Sequence, residues 1–242
     1  MSKGVYVALS GAIAQENAME TTANNVANSA SAGYQRLRPV FREALANARA
    51  ADRDLHYAKT DRTALDTTAG ALRSTERALD VALPAGTYLA VTTPRGERYT
   101  RSGALAVDAE GTLKTASGAT ITSDAGTPIQ AARGAGEVTV SADGTVKQGA
   151  NVLGKLKMMK FERPDALEHE GSSLLAVGNA GAATPSTEPL TIGALEESNA
   201  QPVTAMTELM TASRTFDAFQ KVLDQFGEID RKLVTTVPNA GD

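Results

Sequence analysis

The feature that most restricts this chain is a spacing near its C-terminus. Ala205, Leu209, Ala212, Phe216, Phe219, Leu223, Phe226, Asp230 and Leu233 fall on a strict alternation of four and three residues, and Met206, Met210 and Val222 widen that apolar face. Arg214, Asp217, Lys221 and Asp224 lie off it. A pattern of this period is helical, and sustained over about four heptads it is either a coiled-coil seam or the buried face of an ordinary amphipathic helix. Pro202 stands in what would be the first turn, where a missing amide donor matters little.

A second helix is predicted at the other end. Val5, Leu9, Ala12, Met19, Ala23 and Val26 recur at helical intervals, with Glu16 as the polar interruption and with small residues that let a partner come close. The stripe is thin, and an isolated helix of this kind is marginal in water, so it needs a partner. Asn24, Asn25 and Asn28, followed by Ser29, Ser31 and Gly33, mark its end. Asn and Gly tolerate the left-handed conformation that closes a helix, and Asn and Ser side chains compete for its backbone groups.

Between the two ends the period shortens to two. Leu79, Val81 and Leu83 alternate, Tyr88 to Val91 precedes a turn at Pro94-Arg95-Gly96, and further turns are marked by Asp108 to Gly111, Ser117-Gly118 and Asp143-Gly144. These are short antiparallel hairpins at the spacing of a compact β fold. Lys155 to Phe161 is predicted as one strand, with Leu174 to Val177 and Leu190 to Ile192 as brief ones, and Gly178 to Pro189 as a surface excursion. Phe41, Ala44, Leu45 and Ala48 suggest a short helix after Pro39.

Several function classes drop out. The chain has no Cys, which removes disulfides, thiolate catalysis and cysteine metal sites together. A formal net charge of -4 argues against a nucleic-acid binder, which needs a basic face to neutralise phosphate. No apolar run is long enough to span a membrane, and Gln15, Glu16 and Asn17 interrupt any Sec-type leader. Gly149 to Lys155 matches a phosphate-binding loop up to Leu156, where a Ser or Thr must hold Mg²⁺, and the segment that follows has strand character. His56 and His169 are the only imidazoles, and Asp108 with Glu110 has the look of a solvated hairpin tip. No catalytic residue, cofactor or metal site is predicted, and the chain is not expected to be an enzyme.

The order of residues at the two ends carries a resemblance. ANNVANSASAGYQR (Ala23 to Arg36) resembles the N-terminal motif of the flagellar rod and hook family, and LEESNAQPVTAMTELMTASRTF (Leu195 to Phe216) resembles its C-terminal motif. LRSTERALDVAL, YLAV, YTRSGALAVDAEGTL and SADGTV are similar to the β body between them. The motif residues are Asn24, Asn25, Ala27, Asn28, Gly33 and Tyr34 at one end and Leu195, Glu196, Ser198, Asn199 and Val203 at the other. Departures occur at Glu76 and Ala78, where related chains often show Gly and Pro.

The resemblance implies an α+β chain: N- and C-terminal α-helices in a coiled-coil-like bundle, with a central all-β domain of short antiparallel hairpins. Residues 1–35 are the N-terminal helix of an inner assembly domain, 36–71 a connector with some strand, 72–194 the β domain and 195–242 the C-terminal helix. It further implies a structural subunit of the bacterial basal-body rod that assembles helically through its ends and passes torque from motor to hook. The assembly residues are then Val5, Leu9, Ala12, Met19, Ala23, Val26, Leu209, Phe216, Phe219, Leu223, Phe226 and Leu233. Partners are other copies, proximal and distal rod subunits, and the flagellar type III export apparatus; no nucleic acid is among them. The location is the rod where it crosses the periplasm, reached without a cleaved signal peptide. Modest length and the lack of a large insertion after Gly33 are most like the proximal-rod members next to the distal rod. The alternatives are a distal rod or other hook-family axial subunit and, in another class, a β-fold cell-wall binding or hydrolase domain with helical dimerisation tails.

Overall fold

The structure, a computed structural model, describes residues 3–45, 56–132, 134–171 and 173–236. In chain order, helix α1 (Lys3–Ala27) is followed by strands β1 (Leu37–Leu45), β2 (His56–Leu65), β3 (Leu72–Ser74), β4 (Val81–Ala82), β5 (Thr87–Thr93) and β6 (Gly96–Thr100). Next come β7 (Leu105–Val107), β8 (Leu113–Thr115), β9 (Thr120–Ile121), β10 (Val138–Val140), β11 (Thr145–Gln148) and β12 (Asn151–Lys155). β13 (Met158–Phe161), β14 (Glu168–Glu170), β15 (Leu174–Ala176), β16 (Ala183–Pro185), β17 (Thr191–Ile192) and β18 (Ala194–Glu196) lead to helix α2 (Pro202–Thr236). The expected plan of helix, β body and helix is the one observed.

The chain divides into two compact units, one of Met1–Val26, Leu37–Thr63 and Pro202–Asp242, the other of Ala27–Arg36 and Ala64–Gln201. The first holds the two helices and the β1–β2 ribbon. Phe41, Ala44 and Leu45, predicted as helical, lie in β1 instead, because pairing with β2 satisfies backbone groups that a short helix would leave open. Ala48 lies outside the described residues.

The second unit is a β body. A nine-stranded antiparallel sheet is built in the order β14-β15-β6-β5-β9-β8-β7, with β13 beside β5 and β16 beside β13, and a three-stranded sheet runs β10-β11-β12. Leu89, Val91, Leu105, Leu113, Ile121 and Ile129 from the large sheet and its loops share one core with Val138, Val140 and Val146 of the small one. The turns stand where Gly and Asp predict them. Asp108 accepts the amides of Glu110 and Thr112 through Oδ1, at 3.0 and 2.7 Å, and Gly111 takes the positive φ of 88° that closes the turn.

Three segments differ from the sequence expectation. The stretch from Lys155 to Phe161 is not one strand: it breaks at Leu156 and Lys157, between β12 in the small sheet and β13 in the large one. The break follows from β5, whose one edge takes β13 at Thr87 to Leu89 and β9 at Val91 and Thr92, so the chain must change sheets to reach it. Part of the excursion from Gly178 to Pro189 is β16, paired with β13. Leu195 and Glu196 are not helical: β18 pairs with β3, and α2 begins only at Pro202.

Glu76 adopts φ 59°, the one positive φ outside Gly among the described residues, and its amide donates to the Gly193 carbonyl at 3.1 Å. This is a position where Gly is expected from the resemblance, and a side chain there costs about 1–2 kcal/mol. Glu76→Gly should therefore raise the unfolding free energy by up to about 1 kcal/mol after the added chain entropy is subtracted, read by urea denaturation. A loss of stability would contradict the strain.

Candidate assembly interface

Within the first unit the two helices meet by size. On α1 the inward stripe is Gly4, Ala8, Gly11, Gln15, Ala18, Thr22 and Asn25, each buried or half-buried, in a four-three alternation that matches the one on α2. A methyl placed on Gly11 would stand 2.5 Å from the Phe219 ring, and one on Gly4 would stand 2.8 Å from the Phe226 ring. Gly in a helix interior costs up to about 1 kcal/mol relative to Ala, and here it leaves room for an aromatic ring. The pairs Gly4 with Phe226 and Gly11 with Phe219 make the two helices antiparallel.

That contact rotates α1 from the predicted face. Ala12 is buried and Val5, Met19 and Val26 are half-buried, but Leu9 and Ala23 are exposed. The reason is volume: rings on α2 require the smallest residues opposite them, and a stripe chosen for hydrophobicity falls one position off. On α2, Leu209, Phe216, Phe219, Leu223 and Phe226 are half-buried and Ala205 and Ala212 are buried, as the spacing predicts; the Leu233 side chain lies outside the described set. The seam expected to face other chains is thus occupied, at Phe219 and Phe226, from within its own chain.

At the C-terminal end of α1, Asn25 acts as a backbone mimic. Its Nδ2 donates to the Leu37 carbonyl and its Oδ1 accepts the Leu37 amide, both at 2.8 Å. Asn24 and Ala27 are exposed, and Asn28 accepts the Ser31 amide through its carbonyl at 3.0 Å.

In the second unit, the motif residues from both ends converge on the β body. Gly33, at φ 68°, donates its amide to the Glu196 carbonyl at 2.8 Å and lies so close to the Arg101 carbonyl that a Cβ has no room. The Glu196 carboxylate is paired with the Arg101 guanidinium, side chains 3% and 2% exposed. Its Oε1 also accepts the Gly70 amide at 3.0 Å. Arg101 places its remaining donors on the carbonyls of Leu83, Pro84 and Thr87, and its guanidinium lies 5.7 Å from the Tyr88 ring centre. Asn199 accepts the Arg36 amide at 2.6 Å and donates to the Asp66 and Thr68 carbonyls at 2.8 Å, while Arg36 pairs with Asp66 at 3.0 Å. Leu195 is buried, Ser198 accepts the Ala200 amide, and Val203 is exposed.

Arg101, Gln35, Asp66, Gly4 and Gly11 have no role predicted from sequence. The two glycines did carry a signal: they stand seven residues apart, as do Phe219 and Phe226. A lone Arg in a strand carries none.

Tyr34 and His169 complete this clasp. The His169 ring lies 5.1 Å from the Tyr34 ring centre, and its Nε2 is 3.0 Å from the Gln35 carbonyl. The Gln35 side chain in turn accepts from the Tyr88 hydroxyl at 3.1 Å. Burial pushes the Tyr34 hydroxyl up to about 12 and holds His169 below its ordinary 6.5. His169 is therefore a packed structural group. A groove of about 680 Å³ lined by Glu76, Arg77, Leu79, Asp108, Glu137 and Gln148, among others, holds no histidine, and the described residues contain no metal-ligand cluster. No described helix is long and apolar enough to cross a membrane.

Two outcomes follow for the clasp. Glu196→Gln leaves the Arg101 charge buried without its counter-ion and should cost about 3–5 kcal/mol of unfolding free energy in urea titrations; a change below 1 kcal/mol would remove the pair from its central place. Because His169 is harder to protonate in the fold, the unfolded chain takes up the proton first as pH falls through 6.5, and stability drops from there down to the folded-state value. Carboxylates such as Glu97, held low by Lys157 and Tyr99 against the opposing effect of burial, act only below their ordinary 4.5. His169→Gln should flatten the pH dependence of chemical denaturation between about pH 7 and 5.5.

Comparison with known proteins agrees with this geometry segment by segment. Residues 5–35 match the model for flagella basal body rod proteins, 84–148 the D1 domain of flagellar hook proteins FlgE/F/G, and 192–236 the C-terminal part of flagellar basal body rod FlgEFG proteins. Gly33, Arg101 and Glu196 come one from each. The flagellar basal-body rod protein FlgF of Rhizobium meliloti is 30% identical over 97% of this chain and 98% of its own length. FlgF of Escherichia coli K12 is 33% identical over 92% and 93%, and FlgG of Bacillus subtilis is 27% identical over 97% and 98%. With its ends and its β body all matched in order, the chain belongs to the flagellar basal-body rod proteins, of the proximal-rod type.

Proposed function

We propose that this rod subunit assembles helically through the paired terminal helices and passes torque from motor to hook. The observation that carries it is the seating of Phe226 and Phe219 over Gly4 and Gly11, which makes the two ends of the chain one antiparallel element. In this reading α1 and α2 act as a short coiled coil, the inner assembly domain, with residues 36–71 as the connector to the β domain. Its neighbours are other copies and other rod subunits, both proximal and distal. A surface that meets a different surface on the next copy propagates without closing, and that is how a rod grows.

The same reading takes the chain out through the flagellar type III export apparatus without a cleaved signal peptide, to the part of the rod that crosses the periplasm. The role is mechanical, with no catalysis and no cofactor. The motif residues serve two local ends: Asn25 fixes the end of α1 against Leu37, and Gly33, Glu196 and Asn199 join segments from both ends of the chain within the β body.

Gly11→Leu tests this in cells whose own copy is deleted. The added side chain overlaps Phe219, costs about 1–3 kcal/mol in the helix pair, and leaves the β body folded. The variant should be missing from purified basal bodies and the cells should not swim. Phe216→Asp and Leu223→Asp should do the same by placing a charge in the seam. Incorporation at the wild-type level for all three would refute assembly through this element.

A further inference from the structure

The groove of about 680 Å³ in the β body is bordered by two strand edges that are open. β7 ends the path of the large sheet and β10 that of the small one, and no described strand pairs with the outer side of either. The turn at residues 77–80 covers only the start of β7, where the Leu105 amide donates to the Leu79 carbonyl at 3.3 Å. Beyond it, Val107 stands opposite Leu113 on β8, and the Leu113 amide is turned the other way, to the Ile129 carbonyl at 2.9 Å. The Val107 amide and carbonyl therefore point away from β8. In the β10–β11 hairpin the Ser141 amide donates to the Thr145 carbonyl at 2.9 Å, so alternation turns Thr139 toward β11 and Val138 outward. Val107 and Val138 both line the groove.

The walls are held by buried hydrogen bonds. Gln148, 5% exposed, accepts the Ala132 amide at 2.9 Å and donates to the Ala132 and Gly136 carbonyls at 2.8 and 3.1 Å, which fixes the loop ahead of β10. The Ala131 amide donates to the Gly111 carbonyl at 2.7 Å and ties that loop to the β7–β8 turn. The unanswered charge of the groove is negative. Asp108 is paired with Lys114 at 2.5 Å, and Arg77 stands 3.7 Å from the buried Asp80. Glu76 and Glu137 are exposed at the groove and make no ion pair with another described residue. Glu76 is kept at φ 59°, where Gly would relieve the strain, and a carboxylate held at such a cost points to a use for it.

We propose that the groove takes an extended segment of another protein as an added strand, with Lys or Arg side chains set against Glu76 and Glu137. The backbone of the segment bonds to the open amides and carbonyls of Val107 and Val138, and charge selects the sequence. β7 has three residues, so the pairing spans about 10 Å at about 3.3 Å per residue. The chain's own formal net charge of -4 makes a separate basic partner a better match than a second copy. The inference does not depend on assembly through the helices.

Fluorescence polarisation and amide NMR on the purified full chain test this, with a labelled octapeptide of alternating Lys and Val as the probe. The peptide should bind, shift the Val107 and Val138 amides and slow their exchange, and be released as salt rises. A peptide with Glu in place of every Lys, and one N-methylated at alternate amides, should each bind about tenfold more weakly, the first through charge and the second through lost backbone bonds. Glu137→Gln should weaken binding about three- to fivefold. Glu76→Gly should do the same without loss of stability, which separates the missing carboxylate from unfolding. No binding at millimolar peptide, shifts confined to residues outside the groove, or equal binding of the acidic or N-methylated peptide would overturn the proposal. Shifts of Val107 and Val138 on concentrating the chain alone would overturn it too, since the occupant would then be a second copy.

Discussion

The buried pair of Arg101 and Glu196 is the interaction on which the rest of the β body's attachments depend. Two charges at 2% and 3% exposure have given up their water, and they hold only because every remaining donor and acceptor is used. Arg101 gathers the carbonyls of Leu83, Pro84 and Thr87, and Glu196 takes the Gly70 amide with its side chain and the Gly33 amide with its backbone. The hydrophobic core of the β body would form without this pair. What the pair adds is a fixed path for two strands of chain that come from opposite ends of the sequence.

The helices show the complementary principle, in which fit is set by volume alone. Phe219 and Phe226 on α2 take the room left by Gly11 and Gly4 on α1, on a stripe that also carries Gln15, Thr22 and Asn25. The clasp is set by the direction of its hydrogen bonds, whereas the helix seam is set by register at the two Gly–Phe pairs.

Much of this was legible in the residues. The period of α2 could be read because its seam is made of Leu and Phe, and the hairpins because Asp-Gly and related turns admit few conformations. The side of α1 that meets α2 within the chain could not be read from apolar spacing, because its inward residues are Gly, Ala, Gln, Thr and Asn, which a hydrophobic count ranks below Leu9 and Ile13. Phe41 to Leu45 was misjudged because short apolar runs suit helix and strand alike until a partner strand is known. The break at Leu156 depends on which edge of β5 is free, which is a property of the whole sheet. The family motif pointed to Gly33, Glu196 and Asn199, but the residue that joins them, Arg101, looks like any other Arg in a strand.

Native-state hydrogen exchange resolved to single amides tests the clasp most directly. If Glu196 ties the N-terminal motif to the β body, the amides of Gly33 and Arg36 will exchange only with the cooperative opening that also releases the Ala90 amide of β5. Rapid exchange at Gly33 and Arg36 while Ala90 remains protected would show that the motif is held independently of the β body, and would contradict the account.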